Sequence, residues 1–338
     1  MTSLSLPTYI DSTMMSTFRQ CPRKFFTEFC LNLRPARLSI DLHAGGCFAS
    51  AIENLYRHYY TEKCGFDTAL ARTHGEFMDQ WGDFQTNKPE SPKTRENVWR
   101  AVEKYFQNWR PETDPVQPFD KSAGGAFEFT FAIPLTPATA VIDDPVDANT
   151  TYRNFDPAWH GPDDFPLHPN GEPFQYAGRF DLLGVWQGRP IIRDEKTTTS
   201  IGVKWADQWR LRSQFMGYVW ACQQSGIQLD TVCIRGVGIL KNDIKLAEAF
   251  KTFGPSRVTK WHEQLRRDMW RLRRMWDEQY FDYNFADACS SYGGCPFLDL
   301  CESDHPERWY SQYEKRNWNP IQKNPIEPPS AALEGKAA

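Results

Sequence analysis

Residues 178–197 read GRFDLLGVWQGRPIIRDEKT, and this stretch decides the fold. Apolar residues precede and follow the pair Gln187-Gly188, where a glycine suits the tight turn of a β-hairpin. With these two residues as the loop, positions at equal distances from the turn face each other across the hairpin. Asp181 then lies directly opposite Asp194, with Cβ atoms about 5 Å apart.

The predicted hairpin brings several charged side chains together. Strand side chains alternate between faces, so Lys196 shares a face with Asp194, whereas Glu195 points to the other face. Two carboxylates that face each other directly repel, and a divalent cation between them reverses the sign of that interaction. The pattern therefore predicts a metal site formed by Asp181 and Asp194, with Lys196 beside it.

The composition indicates a soluble globular protein. The chain has 338 residues, of which 24% are charged and 40% are hydrophobic. Its net charge of −4 excludes a strongly basic protein, so any polyanion must meet a local basic surface. The sequence has no apolar run of the roughly 20 residues that span a bilayer, and its start does not resemble a signal peptide. We therefore expect a cytoplasmic location without a membrane partner, where nine cysteines favour metal or cluster chemistry over disulfides.

Periodicity predicts the secondary structure around this hairpin. Helices are expected at 12–30, 45–60, 66–82, 94–109, 204–224 and 256–281. Strands are expected around Phe127 to Phe131 and at Thr231 to Ile239. Residues 134–173 are predicted to form a long surface insertion, and the tail from 318 to 338 is predicted to be disordered.

Two predicted helices carry further candidates for the site. Gln214 and Tyr218 lie one turn apart on one face, where a capping Gln and a core Tyr are the alternative. Glu53 lies beside the apolar stripe formed by Ile52 and Tyr56, and a carboxylate buried there must be paired, protonated or bound to a metal. A glutamate that reaches water from the edge of the stripe is the other interpretation.

Four cysteines form a second constellation. Cys289, Cys295 and Cys301 are each separated by five residues, and Cys21 lies near the other end of the chain. Four thiolates can hold a [4Fe–4S] cluster, and the remote fourth ligand would join the N-terminal helix to the C-terminal loop. Zinc is the alternative, although structural zinc sites usually have more closely spaced cysteine pairs, and plain thiols are a third possibility.

The helix predicted at 256–281 is basic. Between Arg257 and Arg274 it has seven Lys or Arg residues against two acids. Such a helix could follow the phosphates of a nucleic acid, and a solvated helix face is the more common explanation.

The hairpin resembles the PD-(D/E)XK nuclease signature, in which one acid precedes a hairpin and an acid-x-Lys element follows it. The Gln-x-x-x-Tyr element resembles the RecB-type branch of that superfamily. The stretch from Gly45 to Glu53 is similar to the first motif of this branch, but Ala49 stands where the motif has a histidine. His43 is close in sequence but out of register. One N-terminal and three C-terminal cysteines resemble the iron–sulfur staple of AddB and of CRISPR-adaptation nucleases.

This resemblance implies an α/β fold: a restriction-endonuclease-like mixed β-sheet core flanked by helices, with helical additions and an iron–sulfur staple that joins the N- and C-terminal parts. It implies a single nuclease domain over 1–317. Within it lie a helical part at 10–110, a sheet core at 127–240 and a basic helix and cysteine region at 256–305.

The resemblance also implies roles for the candidate residues. Asp181, Asp194 and Glu53 would bind Mg²⁺ or Mn²⁺, and Lys196 would be the catalytic lysine. Gln214 and Tyr218 would position the site or the strand. The cluster would be held by four cysteines: Cys21, Cys289, Cys295 and Cys301.

The implied activity is metal-dependent hydrolysis of DNA by an exonuclease that acts from single-stranded ends. Possible settings are DNA recombination or repair, phage DNA processing and CRISPR-linked processing, with a helicase, recombination or CRISPR-adaptation partner. The chain lacks a P-loop motif and is therefore not expected to be a helicase itself. A catalytically impaired nucleic-acid-binding iron–sulfur protein is the alternative, since Ala49 cannot bind a metal, and an enzyme that acts on RNA is a second one.

Overall fold

The computed structural model describes residues 4–36, 39–86, 88–119, 127–136, 164–285, 287–290, 294–322 and 326–327. Most of the predicted insertion at 134–173 and most of the predicted tail lie outside these residues. The α-helices of the described residues are α1 (Ser12–Gln20), α2 (Pro22–Phe25), α3 (Ile40–Tyr56), α4 (Phe66–Trp81), α5 (Arg95–Asn108), α6 (Ser213–Gln224), α7 (Pro255–Asp277) and α8 (Leu298–Glu302). None of these helices is both long and apolar enough to cross a membrane.

The strands of the described residues are β1 (Tyr9–Ile10), β2 (Leu33–Pro35), β3 (Gln117–Pro118), β4 (Phe127–Pro134), β5 (Gln175–Trp186), β6 (Arg189–Thr198), β7 (Thr231–Ile239), β8 (Ile244–Thr252), β9 (Tyr313–Lys315), β10 (Asn317–Trp318) and β11 (Ile326–Glu327). Seven of them form one hydrogen-bonded sheet, with the order β1-β5-β6-β7-β8 and with β3 and β4 paired to β5.

The chain divides into two compact units. The first comprises Met1–Arg37, Thr130–Gly178 and Pro255–Ala338, and the second comprises Leu38–Phe129 and Arg179–Gly254. Strand β5 begins in the first unit and continues into the second. The predicted single domain over 1–317 stays a prediction.

The second unit contains the predicted hairpin. Strands β5 and β6 pair antiparallel from Leu182↔Arg193 to Trp186↔Arg189, which is the register predicted from a Gln187-Gly188 turn. Both turn residues have positive φ angles, of 50° and 76°, as a tight hairpin turn of this hand requires. Strand β6 runs parallel to β7, and β7 pairs antiparallel with β8. The sheet is therefore mixed, as predicted.

Helices α3, α4 and α5 pack together in the second unit because each has an apolar stripe. The buried residues of α3 recur every three or four positions, as do those of α5. Ser39 and Thr94 begin these two helices, and their hydroxyls accept N–H groups of the first turn at 3.2 Å in both cases. Apolar residues at the end of β7 belong to the same core.

The first unit is built around α1, α2 and α7. The buried stripe of α7 includes Trp261, Leu265 and Met269, as its periodicity predicted. Arg19 of α1 pairs with Asp268 of α7 at 2.6 Å. Strand β1 adds to the sheet in parallel with the first residues of β5.

Three of the longer elements differ from the sequence expectation. The helix predicted at 12–30 is interrupted at Cys21, whose backbone is extended, and Pro22 begins the next helix. The helix predicted from 204 begins at Ser213, because turns occupy the preceding residues. Strand β8 (Ile244–Thr252) was not predicted, although its apolar and charged residues partly alternate.

Candidate active site

The site begins where the pairing of the hairpin ends. Leu182 and Arg193 are the last paired residues on the side away from the turn. At the next position the carboxylate of Asp181 accepts the backbone N–H of Glu195, with an oxygen-to-nitrogen distance of 2.8 Å. The side chain of Asp181 thus lies against the backbone of the acid-x-Lys element rather than opposite Asp194.

Asp181 and Glu195 line one small cavity of about 10 Å³ in the second unit. Such a volume holds about one water molecule. The prediction that Glu195 points away from Asp181 is therefore wrong. That prediction assumed that side chains alternate regularly between the two faces of β5 as far as Asp181, whereas the pairing of β5 with β6 ends one residue earlier, at Leu182. The cavity is lined by Ala49, Ile52, Glu53, Tyr56, Phe127, Asp181, Arg193 and Glu195.

Asp194 and Lys196 form an ion pair, with 2.5 Å between Lys196 Nζ and Asp194 Oδ1. Asp194 is 1% exposed, and burial raises its pKa, an effect that Lys196 only partly offsets. The side chain of Lys196 is 27% exposed, with Nζ lying 5.8 Å from the ring centre of Phe215. The acid and the lysine of the motif are therefore in direct contact, and the lysine is accessible to solvent.

Glu195 is held by two buried donors. Its Oε1 accepts the hydroxyl of Tyr105 at 2.6 Å and lies 2.6 Å from Nε of Arg193. Burial alone would raise the pKa of Glu195, but Arg193 and Tyr105 outweigh burial and lower it. Glu195 is therefore an anion whose side chain is fixed in place.

The two donors belong to a larger buried network that sequence reasoning missed. Asp114 accepts two hydrogen bonds from Arg235, at 2.6 and 2.7 Å, and one from Arg193 at 3.2 Å. Arg235 also donates to the hydroxyl of Tyr105 at 3.1 Å. The signal available in the sequence was an arginine within each of two apolar strands, since a buried charge needs a partner.

The motif with the missing histidine lies on α3, which packs against β6. A Cβ built on Gly45 would lie 3.5 Å from the hydroxyl of Thr197. Glu53 and Ala49, which the sequence comparison places at the glutamate and histidine positions of the resembled motif, both line the small cavity. His43 stacks on Phe84 at 3.9 Å and does not line the cavity.

Gln214 and Tyr218 are in contact, as their spacing on α6 predicted. The amide of Gln214 donates to the hydroxyl of Tyr218 at 2.8 Å, and this hydroxyl donates to the carbonyl of Arg179 at 2.5 Å. The ring of Tyr218 also packs on Phe180, with 5.5 Å between ring centres. Both residues therefore hold the backbone of β5 just before Asp181.

In the first unit, one cavity of about 140 Å³ brings together the four cysteines of the predicted cluster. The N–H of Cys295 donates to the carbonyl of Cys289 at 2.8 Å. Burial raises the pKa of Cys295 and of Cys301, and the neighbouring cysteines raise both further. Lys24 lowers the pKa of Cys295, and Arg23 lowers that of Cys301, but these cations only partly offset burial, and both pKa values stay raised.

The size of the cysteine cavity bears on what it could hold. A zinc ion needs its thiolates about 2.3 Å from one shared centre. Within the described part of the chain, no three His, Cys, Asp or Glu side chains are grouped closely enough to bind one ion. A [4Fe–4S] cluster instead binds each sulfur at a separate iron.

Comparison with known proteins identifies the family. The model of the PD-(D/E)XK nuclease superfamily matches residues 12–302. A solved structure of a presumed exonuclease from Eubacterium rectale is 15% identical and covers 84% of this chain and 88% of its own, with a TM-score of 0.42. The structure of SSO0001 is 11% identical and covers 89% of each chain, with a TM-score of 0.33. A search of curated proteins finds no match. Because the family model spans most of its length, the chain belongs to the PD-(D/E)XK nuclease superfamily.

Proposed function

We propose that the protein is a metal-dependent deoxyribonuclease that acts as an exonuclease from single-stranded ends. One observation carries this proposal. Asp181 contacts the backbone of the acid-x-Lys element at 2.8 Å, next to the Asp194–Lys196 pair at 2.5 Å. Two acids and a lysine thus lie on adjoining parts of one hairpin, and these are the groups that phosphodiester hydrolysis with a divalent cation requires.

The donor chemistry fits a hard divalent cation. The carboxylates of Asp181, Asp194 and Glu53 would supply oxygen ligands, which Mg²⁺ and Mn²⁺ prefer. When bound, such an ion polarises the phosphoryl group and lowers the pKa of the attacking water. Lys196, the accessible member of its ion pair, orients that water or stabilises charge on the phosphoryl oxygens. Gln214 and Tyr218 hold the strand that carries Asp181.

A nuclease assay tests this function. The wild-type protein is incubated with Mg²⁺ or Mn²⁺ and with linear single-stranded, linear double-stranded and circular single-stranded DNA. We expect loss of terminal label from the linear strands and no cleavage of the circle. Asp194→Asn and Lys196→Ala should each reduce the rate by at least about 100-fold, whereas exposed Asp230→Asn should not.

The same assay separates the alternatives. If the wild-type protein binds DNA but cleaves none with either metal, it is a catalytically impaired DNA-binding protein, as Ala49 suggests. Cleavage of the circle shows an endonuclease. Preferential cleavage of a matched RNA strand shows that RNA is the substrate. End labels on the 5′ or 3′ terminus report the polarity.

We also propose that Cys21, Cys289, Cys295 and Cys301 hold a [4Fe–4S] cluster. Support comes from their convergence on one cavity. Protein expressed and purified without oxygen should be brown and contain about four iron atoms and four sulfides per chain. Cys295→Ser should lose the colour and part of the stability, and Cys64→Ser, outside the cavity, should keep both. A colourless preparation that contains zinc contradicts the cluster.

The cellular setting extends this proposal. A nuclease without a P-loop that acts on single-stranded ends fits a recombination, repair, phage or CRISPR-linked process in the cytoplasm, where a helicase would supply its substrate. Copurification with a tagged chain in its native cell tests for such a partner.

A further inference from the structure

One face of α7 exposes a row of cations. Arg257, Lys260, Arg267, Arg271 and Arg274 are all exposed, and their spacing places them along one side of the helix. The opposite side is the buried stripe of the first unit. At 1.5 Å per residue the row is about 25 Å long. We call these five residues the α7 cation row.

The cation row has exposed acidic neighbours. Arg271 pairs with Asp282 at 3.2 Å, and both side chains are 48% exposed. Arg274 pairs with Glu278 at 3.2 Å, with side chains that are 75% and 55% exposed. Exposed ion pairs of this kind contribute little to stability, so phosphates can take the place of these carboxylates at small cost.

Two stacked aromatic rings follow directly after Asp282. The rings of Tyr283 and Phe285 are parallel within 1°, with 5.2 Å between their centres. Phe285 is 87% exposed. The guanidinium of Arg23 lies 5.3 Å from the ring centre of Tyr283, and its backbone N–H donates to the carbonyl of Asp282 at 2.9 Å. We call Tyr283 and Phe285 the aromatic step.

The aromatic step and the cation row are adjacent. Arg271 of the row pairs with Asp282, the residue that precedes Tyr283. A chain that follows the row therefore meets an exposed aromatic surface beside Arg271. Proteins bind the phosphates of a single strand with cations spaced along a surface, and they bind its unpaired bases by stacking them on aromatic rings. A base inside a duplex is already stacked between its neighbours, so its face is not free for a protein ring.

We infer that the α7 cation row and the aromatic step bind single-stranded nucleic acid, with the cations on its phosphates and Phe285 stacked on a base. This inference rests on the proposed nuclease function and adds a strand-binding surface in the first unit, outside the carboxylate site.

Fluorescence anisotropy with a labelled thymidine oligonucleotide of about 20 nucleotides tests it, since one binding site covers about 4–16. The full chain carries Asp194→Asn so that the strand stays intact. Phe285→Ala should weaken binding about 5- to 150-fold, because a stacked base contributes about 1–3 kcal/mol. Phe285→Trp should bind about as tightly as the parent. The double variant Arg267→Gln, Arg274→Gln should weaken binding and flatten the salt dependence by about 1.4 in log–log slope.

Three controls make the result specific. Tyr310→Ala removes an aromatic side chain that is 48% exposed, and Arg72→Gln removes an exposed cation of the other unit; neither should change binding. An oligonucleotide without bases should remain sensitive to the arginine variants and become insensitive to Phe285→Ala. Because Phe285 also lines the cysteine cavity, the iron content of each variant is measured.

The outcomes separate this inference from the proposed function. Binding by Phe285→Ala that equals the parent, at equal iron content, overturns the stacking role. Unchanged binding by the arginine pair overturns the cation row, and a preference for duplex overturns the single-strand assignment. If the wild-type protein cleaves DNA while all variants bind as tightly as the parent, only this inference fails. If the wild-type protein cleaves no nucleic acid and the parent binds none, the proposed function fails with it.

Discussion

The hydroxyl of Tyr105 donates a hydrogen bond to the carboxylate of Glu195 across 2.6 Å, joining helix α5 to the strand of the acid-x-Lys element. The amide of the same Glu195 donates to Asp181 at 2.8 Å. The variable residue of the motif thus has two functions in this protein. Its side chain fixes the strand to α5, and its backbone fixes the first acid of the site.

Replacing Tyr105 tests the first of these links. Tyr105→Phe removes a buried donor to a carboxylate, so the free energy of unfolding should fall by about 1.5–3 kcal/mol. Urea denaturation followed by tryptophan fluorescence measures this. Tyr280→Phe, at a residue that is 56% exposed, is the matched control and should change little. A loss for Tyr105→Phe below about 0.5 kcal/mol would mean that Arg193 alone holds Glu195.

Tyr218 should act on the rate through the backbone of Arg179. Tyr218→Phe removes both the hydrogen bond to that carbonyl and the acceptor for Gln214. If the lost hydrogen bond raises the activation free energy by about 1 kcal/mol, the rate of cleavage should be about fivefold to tenfold lower.

A double-variant cycle checks this interpretation. Because Gln214 acts through the hydroxyl of Tyr218, the combination of Gln214→Ala with Tyr218→Phe should be no slower than Tyr218→Phe alone. Independent, additive losses would show that Gln214 contacts the substrate by itself.

Gly236 is the parallel partner of Lys196 in the sheet and has no room for a side chain. A Cβ at this position would overlap the indole ring of Trp205. Gly236→Ala should therefore lower the free energy of unfolding by about 1–3 kcal/mol and shift the tryptophan emission. Gly254→Ala is the control, since a Cβ added there would meet no atom within 4 Å. Equal stability of the two variants would show that Trp205 moves without cost.

Asp11 should make the stability of the protein depend on pH. Burial raises the pKa of Asp11 from 3.8 to about 6, although the N–H of Met14 and the indole of Trp318 donate to it and lower the pKa. The folded state therefore favours the protonated carboxyl. The stability that this preference contributes is present below pH 4 and is lost as the pH rises through about 6.

The contribution of Asp11 to the free energy of unfolding changes with pH by at most about 3 kcal/mol, at 1.36 kcal/mol per pKa unit. Asp11→Asn cannot ionise, so the stability of the wild type relative to this variant should decrease between pH 4 and pH 7. Urea denaturation at both pH values measures the difference, with exposed Asp67→Asn as control. A difference that stays constant with pH would place the pKa of Asp11 near its ordinary value.

The hairpin shows how far the sequence could predict this site. Its register follows from the two turn residues alone, because the strands on either side must pair outward from the turn. The two turn residues do not determine where the pairing of β5 with β6 ends. The position of that end decides which side chains Asp181 contacts, and it depends on where β5 separates from β6 in three dimensions.

The buried network was beyond prediction for a related reason. Tyr105 and Asp114 come from a helix and the loop that follows it, whereas Arg235 comes from a strand 121 residues after Asp114. An arginine within an apolar strand indicates that an acid must be near, but not which acid. Gln214 and Tyr218 were predictable because one turn of helix fixes their separation.

The first unit is assembled from three stretches of chain, and the second unit is inserted between them in sequence. Cys21 is translated before the second unit, whereas Cys289, Cys295 and Cys301 are translated after it. The second unit can therefore begin to fold during synthesis, while the cysteine cavity can close only after Cys301 has been translated. A chain that ends between the second unit and Cys289 keeps all the carboxylates and the lysine of the hairpin but never completes the cysteine cavity.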